Sequence, residues 1–167
     1  MIKIKVKQGN ITLEKADAIV NPTNSYGLMI GGAAKAIKSA GGAIIEALAV
    51  QKSPLKVGEA FLTGAGMLPC KYIIHTPTME KPAMAARAED IRKAVFASLK
   101  AADDNKLSKI AMPGMGTGIG GFEPIDGANL IVGEIRKFKP KALKEVILVD
   151  ISEIMVNAFN EALKEKK

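Results

Sequence analysis

A glycine-rich segment late in the chain has the composition of an anion-binding loop. In Pro113-Gly-Met-Gly-Thr-Gly-Ile-Gly-Gly-Phe122, glycine occupies five of ten positions, directly after a predicted strand. Glycine leaves the backbone N–H uncovered, and several inward-pointing amides form a nest for a phosphate, to which the Thr117 hydroxyl could add a donor. The segment therefore predicts contact with a phosphate-bearing ligand, although a tightly turning connection could have the same composition.

An earlier segment could serve the same ligand. The run Asn21-Pro-Thr-Asn24 follows a short apolar stretch, and Gly31-Gly32 opens a predicted helix a few residues later. Asn24 could hydrogen-bond sugar hydroxyls while the helix N-terminus faces a phosphate. Asparagine after a strand is also a common turn former, so this segment alone leaves both interpretations open.

The late loop also contains the spacing of a dinucleotide-binding motif. Gly116, Gly118 and Gly121 satisfy G-x-G-x-x-G, and Asp150 ends the next strand, where a ribose-binding acid would stand. However, Phe122-Glu-Pro124 delays the helix, and the usual N-terminal mononucleotide-binding half is missing. We therefore reject a classical Rossmann enzyme.

The elements that position these loops follow from periodicity. Ile2, Ile4 and Val6 alternate with lysines and predict an edge strand, whereas the apolar run 18–20 predicts a buried strand that stops at a turn formed by Asn21-Pro22. Further strands are predicted at 59–63, 72–76, 109–112 and 146–149, and helices at 33–40, 43–51 and 87–102, with another through Ile131, Ile135 and Phe138 and a last one capped by Ser152. Strands alternating with helices predict an α/β sheet covered on both faces, with ligands beyond the carboxyl ends of its strands.

Composition limits the classes of protein that fit. A length of 167 residues suits a single domain over 1–167, and the short apolar runs predict no membrane helix and no signal peptide, so we expect a cytoplasmic protein. Cys70 is the single cysteine and has no Cys/His cluster around it. The sequence therefore predicts neither a disulfide, a metal site nor a cofactor.

The charge balance has two interpretations. A formal net charge of +7 favours polyanions, but only three of the 24 basic residues are arginines, which bind phosphate with a bidentate fork that lysine lacks. Lysine and glutamate scattered over helices are also typical of heat-adapted proteins. We favour the second interpretation over a dedicated nucleic-acid surface.

Taken in order, several motifs resemble the macrodomain family along nearly the whole chain. They are Gln8-Gly-Asn-Ile11, Ala16-Asp-Ala-Ile-Val-Asn-Pro-Thr-Asn24, Val57-Gly-Glu-Ala60, Leu68-Pro-Cys-Lys-Tyr-Ile-Ile-His75 and Gly114-Met-Gly-Thr-Gly-Ile-Gly-Gly121. The resemblance implies a three-layer α/β/α sandwich with a central mixed sheet that binds ADP-ribose in a cleft at the strand ends.

The resemblance also implies a role for individual positions. Asn10 and Ile11, with Val149, Asp150 and Ile151, correspond to the adenine end of the cleft. The first phosphate loop corresponds to Gly31, Gly32 and Ala33, and the second to Gly114, Gly116, Thr117, Gly118, Ile119 and Gly120. Asn24 corresponds to the asparagine near the distal ribose, where it is also the candidate catalytic residue, and Phe122 to an aromatic residue packed on that sugar.

Two positions depart from the family pattern. Asn10 stands where the family carries an aspartate, so we expect the adenine amino group to meet a neutral carbonyl oxygen and base selectivity to weaken. No carboxylate follows the first loop, because the sequence reads Ala33-Ala34-Lys35, and general-base activation of water needs a titratable group. Lys35 or Lys38 could act as a nucleophile, but each is expected to be a solvated lysine. His75 is expected to be structural and to lie outside the site.

Three functions are compatible with these features. The first is a binding module for ADP-ribose or for ADP-ribosylated protein. The second is a hydrolase on ADP-ribose derivatives, either an ADP-ribose-1″-phosphate phosphatase or a de-ADP-ribosylating enzyme. The third is a nucleic-acid or poly(ADP-ribose) binder that also uses Lys137, Lys139, Lys141 and Lys144, for which counterion release predicts steep salt dependence.

Overall fold

The computed structural model describes residues 1–118 and 121–165, which form a six-stranded mixed sheet. The strands are β1 (Lys3–Gln8), β2 (Ala18–Asn24), β3 (Phe61–Gly64), β4 (Tyr72–Met79), β5 (Lys109–Met112) and β6 (Glu145–Asp150). Their order is β1-β6-β5-β2-β4-β3, and every pair is parallel except β3 with β4. The predicted edge position of the first strand is confirmed.

Five α-helices cover the two faces of the sheet. They are α1 (Gly32–Gly41), α2 (Ala43–Gln51), α3 (Ala88–Asp104), α4 (Pro124–Lys137) and α5 (Glu153–Lys164). Ile19, Ile73 and Val149 pack with Ile37 of α1 and Ile45 of α2 in one core. The opposite core joins the other face of the sheet to α3, α4 and α5. The predicted three-layer α/β/α sandwich with a central mixed sheet is therefore confirmed.

The second strand is longer than the sequence indicated. We expected it to stop at a turn after Val20, but β2 continues through Pro22 to Asn24, paired with β4. Proline lacks a backbone donor and is tolerated where a strand has a free edge. β2 pairs with β5 only at Ala18 and Ile19, so its second half has such an edge.

This unequal pairing opens the sheet where the chain changes direction. From β2 the chain proceeds toward β4 and β3, whereas from β5 it proceeds toward β6. Ligands of open α/β sheets bind at such a switch point, beyond the carboxyl ends of the strands. The gap between β2 and β5 is therefore where a cleft is expected.

The other boundaries moved by a few residues. β4 runs past Pro77 to Met79, and β3 begins only at Phe61. Phe138 ends α4 as its C-cap, where its ring meets that of Phe96 edge-on with centroids 5.8 Å apart. In the described part of the chain, no helix has the length and apolar character that crossing a membrane requires.

Candidate functional site

A cleft of about 610 Å³ opens at the carboxyl ends of the parallel strands. This volume lies within the ordinary range of small-molecule sites. Both glycine-rich segments line it, together with the end of β6. Of the predicted binding residues, the following line the cleft: Asn10, Ile11, Asn24, Gly31, Gly32, Ala33, Gly114, Gly116, Thr117, Gly118, Val149 and Asp150.

The loop between β2 and α1 is held in place by two side chains. Oδ1 of Asn24 accepts hydrogen bonds from the backbone amides of Tyr26 (3.0 Å) and Leu28 (3.3 Å), and its Nδ2 donates to the Leu28 carbonyl oxygen (2.8 Å). Glu46 of α2 accepts the Met29 amide at 2.7 Å. Asn24 is thus chiefly a loop-positioning residue, and its predicted contact with a sugar stays a prediction.

Lys38, considered above as a nucleophile, is used in the same arrangement. Its ammonium contacts Glu46 at 2.8 Å, and this hydrogen bond lowers the pKa of the Glu46 carboxyl below its ordinary value. Neither Lys38 nor Lys35 is among the residues that line the cleft. Both lysines therefore remain outside the chemistry of the site.

The first glycine segment presents the start of α1 to the cleft. Gly31 is the N-cap and Gly32 has a φ of +59°, which favours glycine. The first amides of an α-helix have no partner within the helix, so those of Gly32 and Ala33 are available to an anion. Ala34, one of the two alanines that follow this loop in place of a carboxylate, is buried.

The second glycine segment is anchored by the last residue of β6. Oδ2 of Asp150 accepts the Gly114 amide at 3.1 Å, and Oδ1 accepts the Ser152 amide at 2.9 Å. Gly116 has a φ of +73°, and a Cβ there would lie 2.8 Å from the Cβ of Ala86. The path of the loop therefore requires glycine at this position.

Beyond that anchor, the loop leaves backbone donors unused. Within the described ranges, the amides of Gly116, Thr117 and Gly118 donate to no protein acceptor. Consecutive free amides at the end of a strand form the kind of concave donor array that binds a phosphate oxygen. Ile119 and Gly120, also predicted as binding residues, lie outside the described residues.

The structure places Phe122 apart from the other predicted binding residues. Phe122 does not line the cleft; it lines a second cavity beside α3 and α4 and packs against the core under those helices. The Phe122 amide donates to the Gly116 carbonyl oxygen at 2.8 Å. The packing of Phe122 on a distal sugar stays a prediction.

Sequence reasoning missed several lining residues around the first loop. They are mostly apolar: Leu28, Ile30, Met79, Pro82 and Ala83. Ile30 is 61% exposed, which is unusual for isoleucine next to a core helix. The only sequence signal for this apolar lining was Ile30, an isoleucine directly before Gly31-Gly32 to which sequence reasoning had given no role.

The cleft contrasts with the rest of the surface in its charge. No lysine or arginine is among its described lining residues, and Asp150 is the only titratable side chain there. A basic cluster precedes β6 in the chain and consists of Lys137, Lys139, Lys141 and Lys144. It lies at the end of β6 opposite the cleft, and a strand of six residues is about 20 Å long. The structure thus separates the cluster from the cleft.

Asn10 also departs from expectation. We expected its side-chain oxygen to face a base, but Oδ1 accepts from both the backbone amide (3.0 Å) and the hydroxyl (2.7 Å) of Thr12. It caps the short 3-10 turn formed by Ile11–Leu13, as asparagine does at helix starts. The group that remains for the cleft is the amide nitrogen.

His75 is not among the residues that line the cleft and belongs to a line of polar side chains across three strands. Asn21 Nδ2 donates to its Nδ1 (3.1 Å), so its Nε2 carries the proton and donates to the hydroxyl of Thr63 (2.8 Å). The ring stacks on Phe61 with centroids 5.0 Å apart. Full burial lowers the pKa of His75 from 6.5 to about 4. A neutral, fully packed imidazole fits the structural role that we expected.

This histidine should make stability depend on pH in a defined window. Because the pKa of His75 is lower in the folded state, its contribution to the free energy of unfolding is complete above pH 6.5 and is lost as the pH falls toward 4. We expect the free energy of unfolding to fall by about 2 kcal/mol from pH 7 to pH 5, before most carboxylates titrate. Urea unfolding measures this, and His75→Gln, which removes the only histidine, should flatten the slope. A wild-type slope near zero in this window would contradict the burial effect.

Comparison with known proteins gives one consistent match. The family profile of the Macro domain matches residues 20–131. A protein from Aquifex aeolicus is 54% identical over 160 residues, which span 96% of this chain and 97% of that protein. The structure of the Trypanosoma brucei macrodomain in complex with ADP-ribose is similar with a TM-score of 0.86 and 27% identity, over 96% of this chain and 68% of that one. The Oceanobacillus iheyensis macrodomain with ADP gives 0.85 and 27%, over 95% and 88%.

Proposed function

Because the chain belongs to the macrodomain family, we propose that it binds ADP-ribose or an ADP-ribose derivative in the cleft between its two glycine-rich loops. The observation that carries this proposal is the convergence of Gly31–Ala33 and Gly114–Gly118 on one cleft of about 610 Å³. Two similar macrodomains have been solved with ADP-ribose and with ADP. The proposed partners are therefore the free nucleotide and proteins that carry it.

The orientation of the ligand follows from the family resemblance and from the two ends of the cleft. The base lies at the end formed by Asn10, Ile11 and Val149, the last two of which are buried and apolar. The diphosphate lies between the loops, and the distal ribose lies near Asn24. Ile151 is 75% exposed beside the base, where a ligand would cover it.

Backbone amides, not charged side chains, would hold the diphosphate. The described lining contains no lysine or arginine, so the attraction comes from the start of α1 and from the amides of Gly116, Thr117 and Gly118. Such donors are fixed by the fold and do not need to be ordered on binding. This arrangement supports recognition of one diphosphate more than the tracking of a polyanion along the basic surface.

The chemistry of the cleft favours binding over hydrolysis. General-base catalysis needs a titratable group near the reacting centre, and Asp150, the only one in the described lining, lies at the base end and accepts two backbone amides. We expect phosphate release from ADP-ribose-1″-phosphate to proceed no faster than in a blank, as measured by a phosphate assay. Enzyme-dependent release that disappears in Asn24→Ala would instead support the hydrolase.

Calorimetric titration with a ligand panel tests the proposed function. The panel contains ADP-ribose, its 1″-phosphate, NAD and AMP. We expect ADP-ribose to bind more tightly than AMP, because a single phosphate can reach only part of the donor array. If no member of the panel gives a heat of binding or competes with another member at millimolar concentration, the proposal is rejected.

A further inference from the structure

We propose that Asn10 reverses the hydrogen-bonding preference at the base end of the cleft. The site then favours a nucleoside diphosphate ribose whose purine carries an oxo group at position 6 over one that carries an amino group there. This inference rests on the proposed function, because it requires the base to lie beside Asn10. It concerns the identity of the base, which the two phosphate loops leave undetermined.

The orientation of the Asn10 amide is fixed by its neighbour. A backbone N–H can only donate, so the atom that faces the Thr12 amide at 3.0 Å must be the oxygen. The Thr12 hydroxyl donates to the same oxygen at 2.7 Å. Turning the amide over would place two donors against each other and remove the cap of the 3-10 turn.

The remaining group of Asn10 is a pure donor. The side chain is exposed and lines the cleft, and in the part of the chain that the structure describes its Nδ2 has no acceptor. Asp150, the only carboxylate among the described lining residues, already accepts one backbone amide at each oxygen. Ile11 and Val149 contribute apolar surface. The polar contact that this end offers most readily is therefore an N–H.

The two kinds of purine differ in what they present to this N–H. Adenine carries an amino group at position 6, which is a donor, whereas guanine and hypoxanthine carry an oxygen, which is an acceptor. With the six-position opposite Nδ2, as in the proposed orientation, two donors meet and neither has a partner unless the base shifts to offer a ring nitrogen; sites discriminate on that basis. An aspartate at position 10 could cap Thr12 with one oxygen and offer the other as an acceptor. The exchange of one NH₂ for one oxygen thus changes which base fits.

Titration of two matched ligands tests the inference. One is ADP-ribose and the other is its hypoxanthine analogue, which differs only at the six-position and the adjoining ring nitrogen. We expect the wild-type chain to bind the hypoxanthine analogue about tenfold more tightly, and Asn10→Asp to reverse that order. The ratio of the two affinities is informative because both ligands carry the same diphosphate, so a general charge effect of the variant cancels.

The controls separate this inference from the proposed function. Asn10→Asp keeps a capping oxygen, and its melting temperature should match that of the wild type. Asn160→Asp adds the same charge on the exposed side of α5, away from the cleft, and should leave the ratio unchanged. If both ligands bind but the wild type prefers ADP-ribose, or if Asn10→Asp leaves the ratio of the two affinities unchanged, the inference is overturned. The proposed function would stand in either case. Binding of neither ligand would overturn the proposed function as well.

Discussion

Replacing Gly118 by glutamate is expected to weaken the binding of ADP-ribose by at least about 100-fold. Among the described residues, no atom lies within 4 Å of a Cβ at this position, and its φ lies outside the left-handed region, so the fold can accept a side chain. The new carboxylate would lie beside the diphosphate, where two like charges about 5 Å apart repel by about 3 kcal/mol at an effective dielectric constant of 20. Calorimetry measures the loss, since 1.4 kcal/mol corresponds to a tenfold change in affinity.

A matched variant separates charge in the cleft from charge in general. Gly133 lies in α4, also has no atom within 4 Å of a built Cβ, and does not line the cleft. Gly133→Glu should therefore bind ADP-ribose as the wild type does, and both variants should melt near the wild-type temperature. Equal affinities of Gly118→Glu and the wild type would show that the second loop does not hold the phosphates.

Truncating Asn24 to alanine is expected to reduce both stability and affinity. The change removes three hydrogen bonds to Tyr26 and Leu28, each of which contributes about 1 kcal/mol net. We expect the free energy of unfolding to fall by about 2 to 3 kcal/mol. Affinity should fall by about tenfold, because the same loop carries Leu28, Ile30 and Gly31 into the cleft. Urea unfolding and calorimetry measure the two effects.

The coupling of the two effects identifies the role of Asn24. Asn24→Asp retains an acceptor for the Tyr26 and Leu28 amides and loses only the donor, so its stability should lie between those of the wild type and Asn24→Ala. Weaker binding of Asn24→Ala with an unchanged free energy of unfolding would mean that the side chain contacts the ligand and does not position the loop.

Local patterns in the sequence predicted the architecture well. The alternation of Ile2, Ile4 and Val6 with lysines predicts a half-buried strand, and the partly buried Ile4 and Val6 between exposed lysines of β1 confirm it. Because glycine-rich segments follow β5 and precede α1, their convergence at the carboxyl ends of the strands could be expected from a parallel sheet alone.

The features that sequence reasoning missed depend on contacts that form only in the folded chain. Pro22 remains in β2 because β5 stops pairing after Ile19, which no local pattern reports. Phe122 lies apart from the cleft lining, and its amide is bonded to the Gly116 carbonyl oxygen. The oxygen of Asn10 is taken by Thr12, only two residues away, but hydrogen-bond direction is a property of the folded turn and not of residue type. The conformation of the folded turn therefore decides which atom of Asn10 the cleft receives.

The most direct test of the proposed function is an NMR titration of the wild-type chain with ADP-ribose, followed at the backbone amides. The signals of Gly32, Ala33, Gly116, Thr117 and Gly118 should shift together and saturate at one dissociation constant, because both loops hold the same diphosphate. The amides of residues 137–144, at the other end of β6, should not shift. Saturable shifts confined to residues 137–144, with both glycine loops unaffected, would contradict the proposed site.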